Sequence, residues 1–212
     1  MITENSEILE EYNTAHNTLV DIHEHIPVLY EYALKSTSII ECGVRSCVST
    51  WAFIRGLENQ PMNPNEPKLL IGIDLDIPIK LEKIRKLATE CNVFYRFWCG
   101  NDLKYTDNLN VDLIFIDTWH VYGHLKRELN KFALLAKKWI ILHDTEIDGV
   151  NGESIRCRCN IEEQAKENNY SVEEIQKGLW PAVEEFISQN PNWVIEKHYK
   201  NCNGLTILKK IN

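Results

Sequence analysis

The stretch Ser38-Ile-Ile-Glu-Cys-Gly-Val-Arg-Ser-Cys-Val-Ser-Thr-Trp-Ala-Phe-Ile54 decides how the rest of the chain is read. It opens as a short apolar strand, passes an acid and a glycine, and runs into a helical pattern, with Ser46 or Ser49 placed to cap the helix. A glycine here permits a tight turn and lets backbone approach a ligand, and a helix N-terminus favours a negative group. No Gly-Lys-Ser/Thr follows, so the loop is not a nucleoside-triphosphate loop. The second glycine of a dinucleotide fingerprint is missing, and Cys47 stands nearby instead. Cys47 fits beside a ligand if its φ is negative.

Strand and helix patterns alternate on the C-terminal side of this stretch. A Pro/Asn-rich loop over 58–68 leads to "LLIGIDLD". An amphipathic helix follows, with Pro78 suited to its first turn. Then come "NVFYRFWCGN", "VDLIFIDTWH", a helix beginning near Tyr122, and "KKWIILHDT". Five apolar strands interleaved with helices indicate a doubly wound, Rossmann-like α/β sheet with helices on both faces. After Thr145 the pattern breaks into a polar, lid-like excursion over 146–178 with one or two short helices. A helix with Pro181 near its start and two strands joined by "KNCNG" close the chain as an antiparallel pair. Upstream, 1–37 is an N-terminal helical segment, in which Pro27 opens a second helix or kinks the first, and which offers a surface for a homodimer. The whole of 1–212 reads as one domain.

Composition narrows the partners. The 212 residues carry a net charge of −8, which repels phosphate backbones and argues against nucleic acid. No apolar run is long enough to span a bilayer, and the acidic N-terminus is unlike a signal peptide. Seven cysteines without a C-x-x-C pair read as reduced thiols of a cytoplasmic protein.

Ligands of open α/β sheets bind beyond the carboxyl ends of the strands. Glu41, Asp74, Asp76, Asp102, Asp117, His120, His143 and Asp144 collect there. Asp74, or else Asp76, suits the two hydroxyls of a ribose, and Asp102 is either a base or ribose contact or a turn residue. His120 has the right intrinsic pKa for a base. Asp117 and Asp144, on neighbouring strands, can hold a divalent cation between them. His23, His25 and His124 read as solvated histidines. Trp119, Tyr122 and Trp180 can each stack on a sugar face, though core packing is the commoner role.

Taken together, "IIECGVRSCVST", "IGIDLD", "DLIFIDTWHVYGHLKREL", "WIILHDT" and "GLWPAVEEFI" resemble the class I S-adenosylmethionine-dependent methyltransferases. The branch they look most like is the one that includes macrocin-type sugar O-methyltransferases and cephalosporin-hydroxylase-like proteins. The resemblance runs from about Asp21 to Lys209. It implies a seven-stranded sheet whose last strand is antiparallel and inserted near the edge. It implies S-adenosyl-L-methionine as cofactor, and O-methylation of a small-molecule acceptor, a sugar or glycoside first. By match, Glu41, Gly43, Ser46 and Ser49 wrap the methionine part, Asp74 holds the ribose, and Asp102 lies near the adenine. Asp117 and His120 supply a metal or substrate ligand and a base. Where sugar-methylating members carry two acids after the fifth strand, this chain has His143-Asp144, so a cation such as Mg2+ at Asp117 and Asp144 is an expectation resting on one acid there. Two other readings stay open: a fold that binds the cofactor without catalysis, and a nicotinamide-dependent reductase, which the glycine pattern disfavours.

Overall fold

The computed structural model describes residues 6–60 and 67–211, and the Pro/Asn-rich loop falls largely outside them, at 61–66. Two compact units divide between Ile116 and Asp117.

The first unit holds four parallel strands, β1 (Ser38–Cys42), β2 (Lys68–Asp74), β3 (Val93–Cys99) and β4 (Val111–Ile116). β1 and β4 are buried at every position, the pattern of parallel strands covered on both faces. β3 alternates at its start, with Phe94 facing solvent, as suits an edge strand. The helices are α1 (Ser6–Asn17), α2 (Ile26–Ala33), α3 (Val48–Glu58) and α4 (Leu81–Glu90). The N-terminal segment is thus two helices, separated by a 3₁₀ turn at His23–His25, and Pro27 does sit in the first turn of the second. His25 is buried rather than solvated, because that turn folds it inward. Glu7 and Glu11 on α1 pair with Lys80, Lys83 and Lys86 along α4 and the residue before it, the shortest contact being Lys83 to Glu11 at 2.6 Å. Pro78 lies outside α4, and its carbonyl accepts the N–H of Leu81 at 3.0 Å.

The second unit begins with α5 (Tyr122–Phe132) and β5 (Ala136–His143). The excursion then forms three short helices, α6 (Glu153–Arg156), α7 (Ile161–Asn168) and α8 (Val172–Gln176), before α9 (Trp180–Gln189), β6 (Trp193–Tyr199) and β7 (Leu205–Lys210). The expectation was one or two helices. The third forms because Val121, Ala165 and Ile175 make a small core of their own, with Trp119, Ile161 and Tyr170 packed against it. Asn160 caps α7, and Ser171 with Glu174 makes a reciprocal capping box on α8.

The seven strands run in the order β3-β2-β1-β4-β5-β7-β6, and β7 is antiparallel to both its neighbours. This is the expected Rossmann-like sheet, mostly parallel, with the last strand inserted next to the edge. No helix among the described residues is long and apolar enough to cross a membrane.

Candidate functional site

In the first unit the loop after β1 is held in an unusual backbone. Gly43, Arg45 and Cys47 have φ of 90°, 40° and 69°. Cys47 therefore does not take the negative φ expected of it. It is the residue before α3 and adopts the left-handed conformation, which costs a non-glycine residue on the order of 1–2 kcal/mol. Burial, with Glu41 adding to it, pushes the Cys47 thiol up to about 12, so it packs rather than reacts. Neither serine caps the helix. Ser46 is exposed, and Ser49 lies inside the first turn with its hydroxyl donating to Glu41 Oε1 at 2.5 Å.

Glu41 is fully buried and also accepts from Thr50 Oγ1, at 3.0 Å to Oε1 and 2.8 Å to Oε2. Its carboxylate ties the end of β1 to the start of α3, where a negative charge also suits the helix dipole. Asp74, at the end of β2, braces the same loop from the other side: Oδ2 accepts from Val44 N–H at 2.8 Å and Arg45 N–H at 2.7 Å. Oδ1 accepts the N–H of Asp76 at 3.2 Å, and Asp76 itself is exposed. Asp102 is buried in a 3₁₀ turn after β3, where Asn101 caps the N–H of Leu103.

Tyr95 on β3 belongs to this region and was not singled out from the sequence. Its hydroxyl is buried without a hydrogen bond. It sits over Gly72, where a Cβ would stand 2.5 Å from the Tyr95 oxygen and 3.0 Å from Val44 Cγ2. Burial and the nearby carboxylate of Glu41 raise its pKa well above that of an ordinary tyrosine. An orphaned hydroxyl beside a carboxylate-braced loop fits a ligand that brings its own polar atoms, as an adenosyl-amino-acid cofactor would.

In the second unit the residues after β4 and β5 converge. His120 Nε2 lies 3.2 Å from Asp117 Oδ1. Its Nδ1 lies 3.0 Å from Asp144 Oδ2, 3.3 Å from Asp148 Oδ2 and 3.0 Å from Glu153 Oε2. His143 Nδ1 faces Asp117 Oδ1 at 3.3 Å and Asp144 Oδ1 at 3.4 Å, and its Nε2 reaches the carbonyl of Cys202 at 3.2 Å. Arg156 grips Asp148 with two hydrogen bonds of 2.7 Å. Asp144 takes a left-handed φ of 57°, strain of the kind that collects at functional sites.

The charges in this cluster shift one another. Burial opposes a charged His120 ring, but Asp117, Asp148 and Glu153 outweigh it and hold His120 protonated well above its ordinary range. Burial likewise works against His143, yet Asp117 raises it to about 9. Burial opposes the charge of Asp117, but the two histidines keep that carboxyl ionised far below the usual carboxylate range. Asp144 moves the other way: burial lifts it, and the histidines only partly offset this. Two carboxyl groups pushed in opposite directions are a frequent mark of a working site.

Two sets of donors in this unit lie close enough to share a cation: Asp117, His143 and Asp144, and separately His120, Asp148 and Glu153, the atoms of each set within 4.8 Å of one another. The first contains both residues expected to be metal ligands. Asp148, Glu153 and Arg156 were missed in the sequence because they sit in the polar excursion, where acids are common. The only available signal was the four-residue spacing from Asp144 to Asp148.

The remaining candidates have packing roles. Trp119 stacks on Tyr170 and donates from Nε1 to Ser154 Oγ at 3.3 Å. The Tyr122 hydroxyl donates to Glu185, and Trp180 meets His198 edge-on. His124 is buried against Tyr170, its Nδ1 3.0 Å from the hydroxyl, instead of lying in solvent, because Tyr170 and α8 cover that face of α5.

No protein-family model and no curated protein sequence matches this chain. Solved structures share its fold along almost the whole length. An O-methyltransferase of Streptomyces achromogenes involved in tomaymycin synthesis, in complex with S-adenosylmethionine, superposes with a TM-score of 0.59 at 12% identity over 100% of this chain and 93% of that one. An O-methyltransferase of Bacillus cereus in complex with S-adenosylhomocysteine gives 0.57 at 15% identity, over 99% and 93%. An S-adenosylhomocysteine-bound methyltransferase of Podospora anserina gives 0.54 at 13%, over 98% and 89%. At these identities the likeness is one of fold, and the fold of this chain is that of the Rossmann-like methyltransferases.

Proposed function

We propose that the chain is an S-adenosyl-L-methionine-dependent O-methyltransferase acting on a hydroxyl of a small molecule. The observation that carries the reading is the strand order with its inserted antiparallel β7, combined with a loop after β1 braced by the carboxylates of Glu41 and Asp74. The S-adenosyl cofactors bound to proteins of this fold add support. When bound, the cofactor supplies a methyl group on a positively charged sulfur. Gly43, Ser46 and Ser49 belong to the loop assigned to its methionine part, and Glu41 fixes that loop to α3. Asp74 offers Oδ1 to the ribose, Asp102 lies on the adenine side, and Tyr95 offers its unused hydroxyl.

On the acceptor side, Asp117 orients His120, and His120 takes the acceptor's proton. It can do so only in its neutral form, so the second proton must leave before chemistry. A divalent cation such as Mg2+ at Asp117 and Asp144, with His143 alongside, is part of the proposal, since these three donors fit it. A carbohydrate acceptor is proposed from the sequence resemblance alone, because Trp119, Tyr122 and Trp180 are already engaged in packing. A cytoplasmic setting is proposed from the cysteine pattern of the sequence, seven residues without a C-x-x-C pair.

A second reading, a fold that binds the cofactor without transfer, is favoured by the carboxylates of Asp117, Asp148 and Glu153 around His120, which raise its pKa and so disfavour the neutral, basic form. Calorimetry with S-adenosylhomocysteine tests what both share: no heat at millimolar ligand sinks both. Replacing His120 by alanine separates them. The first reading requires methyl transfer to a true acceptor to fall by about 10²–10⁴-fold.

A further inference from the structure

We propose that His120 Nδ1, Asp148 and Glu153 form a binding site for a first-row transition-metal dication, distinct from the Asp117–His143–Asp144 set. The case begins with the tautomer of His120. Nε2 faces Asp117 Oδ1 at 3.2 Å, and a carboxylate oxygen accepts, so that nitrogen carries the hydrogen. A histidine whose outer N–H is held by a carboxylate presents its other nitrogen to a metal, the arrangement that fixes ring orientation and basicity at metal sites.

That other nitrogen is buried and makes no hydrogen bond, although three carboxylate oxygens approach it. His120 is only 7% exposed, so water does not compensate. Asp144 Oδ1 is buried and lacks a hydrogen bond as well. Three carboxylates gathered on one nitrogen, none aligned with it, satisfy one another poorly. A cation among them resolves the mismatch.

The surroundings are built to hold the donors still. Arg156 binds both oxygens of Asp148, an outer partner that orients a ligating carboxylate. The backbone of Asp148 is locked by its N–H to the Asp144 carbonyl at 3.1 Å and by the Leu179 N–H to its own carbonyl at 2.9 Å. Gly178 packs so closely there that a Cβ would lie 2.2 Å from the Asp148 oxygen. The Glu153 N–H donates to the His120 carbonyl at 3.0 Å, joining the two ligand-bearing segments. Glu153, with a side chain 27% exposed, is the ligand a cation meets first from solvent. One imidazole nitrogen among carboxylate oxygens suits Mn2+, Fe2+ or Zn2+ better than Ca2+, which takes oxygen donors.

The test uses the full chain, stripped with a chelator and titrated with Mn2+. Binding is followed by calorimetry and by the loss of the free-ion electron paramagnetic resonance signal. The expected result is saturable binding, pulsed spectra showing coupling to a histidine nitrogen, and affinity lowered at least about tenfold in both Glu153→Gln and Asp148→Asn. Glu153→Gln keeps the shape of a partly exposed side chain, and a metal-free thermal melt equal to the parent confirms its fold. Mn2+ binding that is unchanged in both variants places the ion on the Asp117 set and overturns the proposal. So does the absence of binding at millimolar Mn2+. A cation on Nδ1 occupies the nitrogen that the proposed reaction uses as its base, so the metal-bound form does not turn over; neither readout depends on methyl transfer, and the outcome is distinguishable from a failure of the proposed activity.

Discussion

In the first unit, the carboxylate of Glu41 meets two hydroxyls and that of Asp74 meets three backbone N–H groups. In the second, the ring of His120 meets four carboxylates, and Asp144 keeps a buried oxygen with no hydrogen bond. The residue type and its place at the strand ends are the same, but the electrostatic solution differs. Glu41 and Asp74 are answered by neutral donors of their own unit, so they act as braces. The acids around His120 are answered chiefly by the rings of His120 and His143 and by one arginine, and a ligand of positive charge can take a place among them. A buried carboxylate is therefore informative about function only once its partners are known.

The sharpest way to break this contrast is to remove a brace. Glu41→Ala strands two buried hydroxyls and frees the end of β1 from α3, and a loss of about 3–5 kcal/mol in urea denaturation is expected. A loss below about 1 kcal/mol would show that Glu41 is not a brace. Asp74→Ala comes next: it releases the Val44 and Arg45 amides and takes away the ribose acceptor. It should weaken S-adenosylhomocysteine binding about 10–100-fold, read by calorimetry. Gly178→Ala drives a methyl group into the Asp148 carbonyl. A destabilisation of about 1–3 kcal/mol is expected, with the Asp148 segment showing faster amide exchange than the rest of the second unit. The smallest effect is at Ser171→Ala, which opens the capping box of α8. About 1 kcal/mol, confined by hydrogen exchange to α8 and its neighbours, is the expected outcome.

How far the sequence carried differs between the two regions for a physical reason. Strands buried on both faces, such as Ser38–Cys42 and Val111–Ile116, leave mostly apolar runs, so the sheet was legible, and with it the positions of Asp117, His120 and Asp144 beyond the strands. The left-handed φ of Cys47 was not, because the loop conformation is imposed by Asp74 thirty residues away through two backbone hydrogen bonds. Asp148, Glu153 and Arg156 were not either. Their positions follow from the packing of the three-helix excursion, whose apolar residues are too few and too scattered to show a period. His124 was misjudged for the same reason, since its cover, Tyr170, belongs to that excursion.

Six of the seven thiols fall into two chemical populations, and Cys202 is half-buried between them. Cys42, Cys47 and Cys91 are buried, and burial holds Cys47 and Cys91 up at about 12, whereas Cys99, Cys157 and Cys159 face solvent. A mild alkylating reagent should therefore tag the outer three and leave the loop after β1 unmarked. Cys157 directly follows the helix that carries Glu153 and Arg156. A fluorophore on that thiol, with Cys99 and Cys159 replaced by serine, would turn the acidic cluster into an optical sensor of whatever enters it.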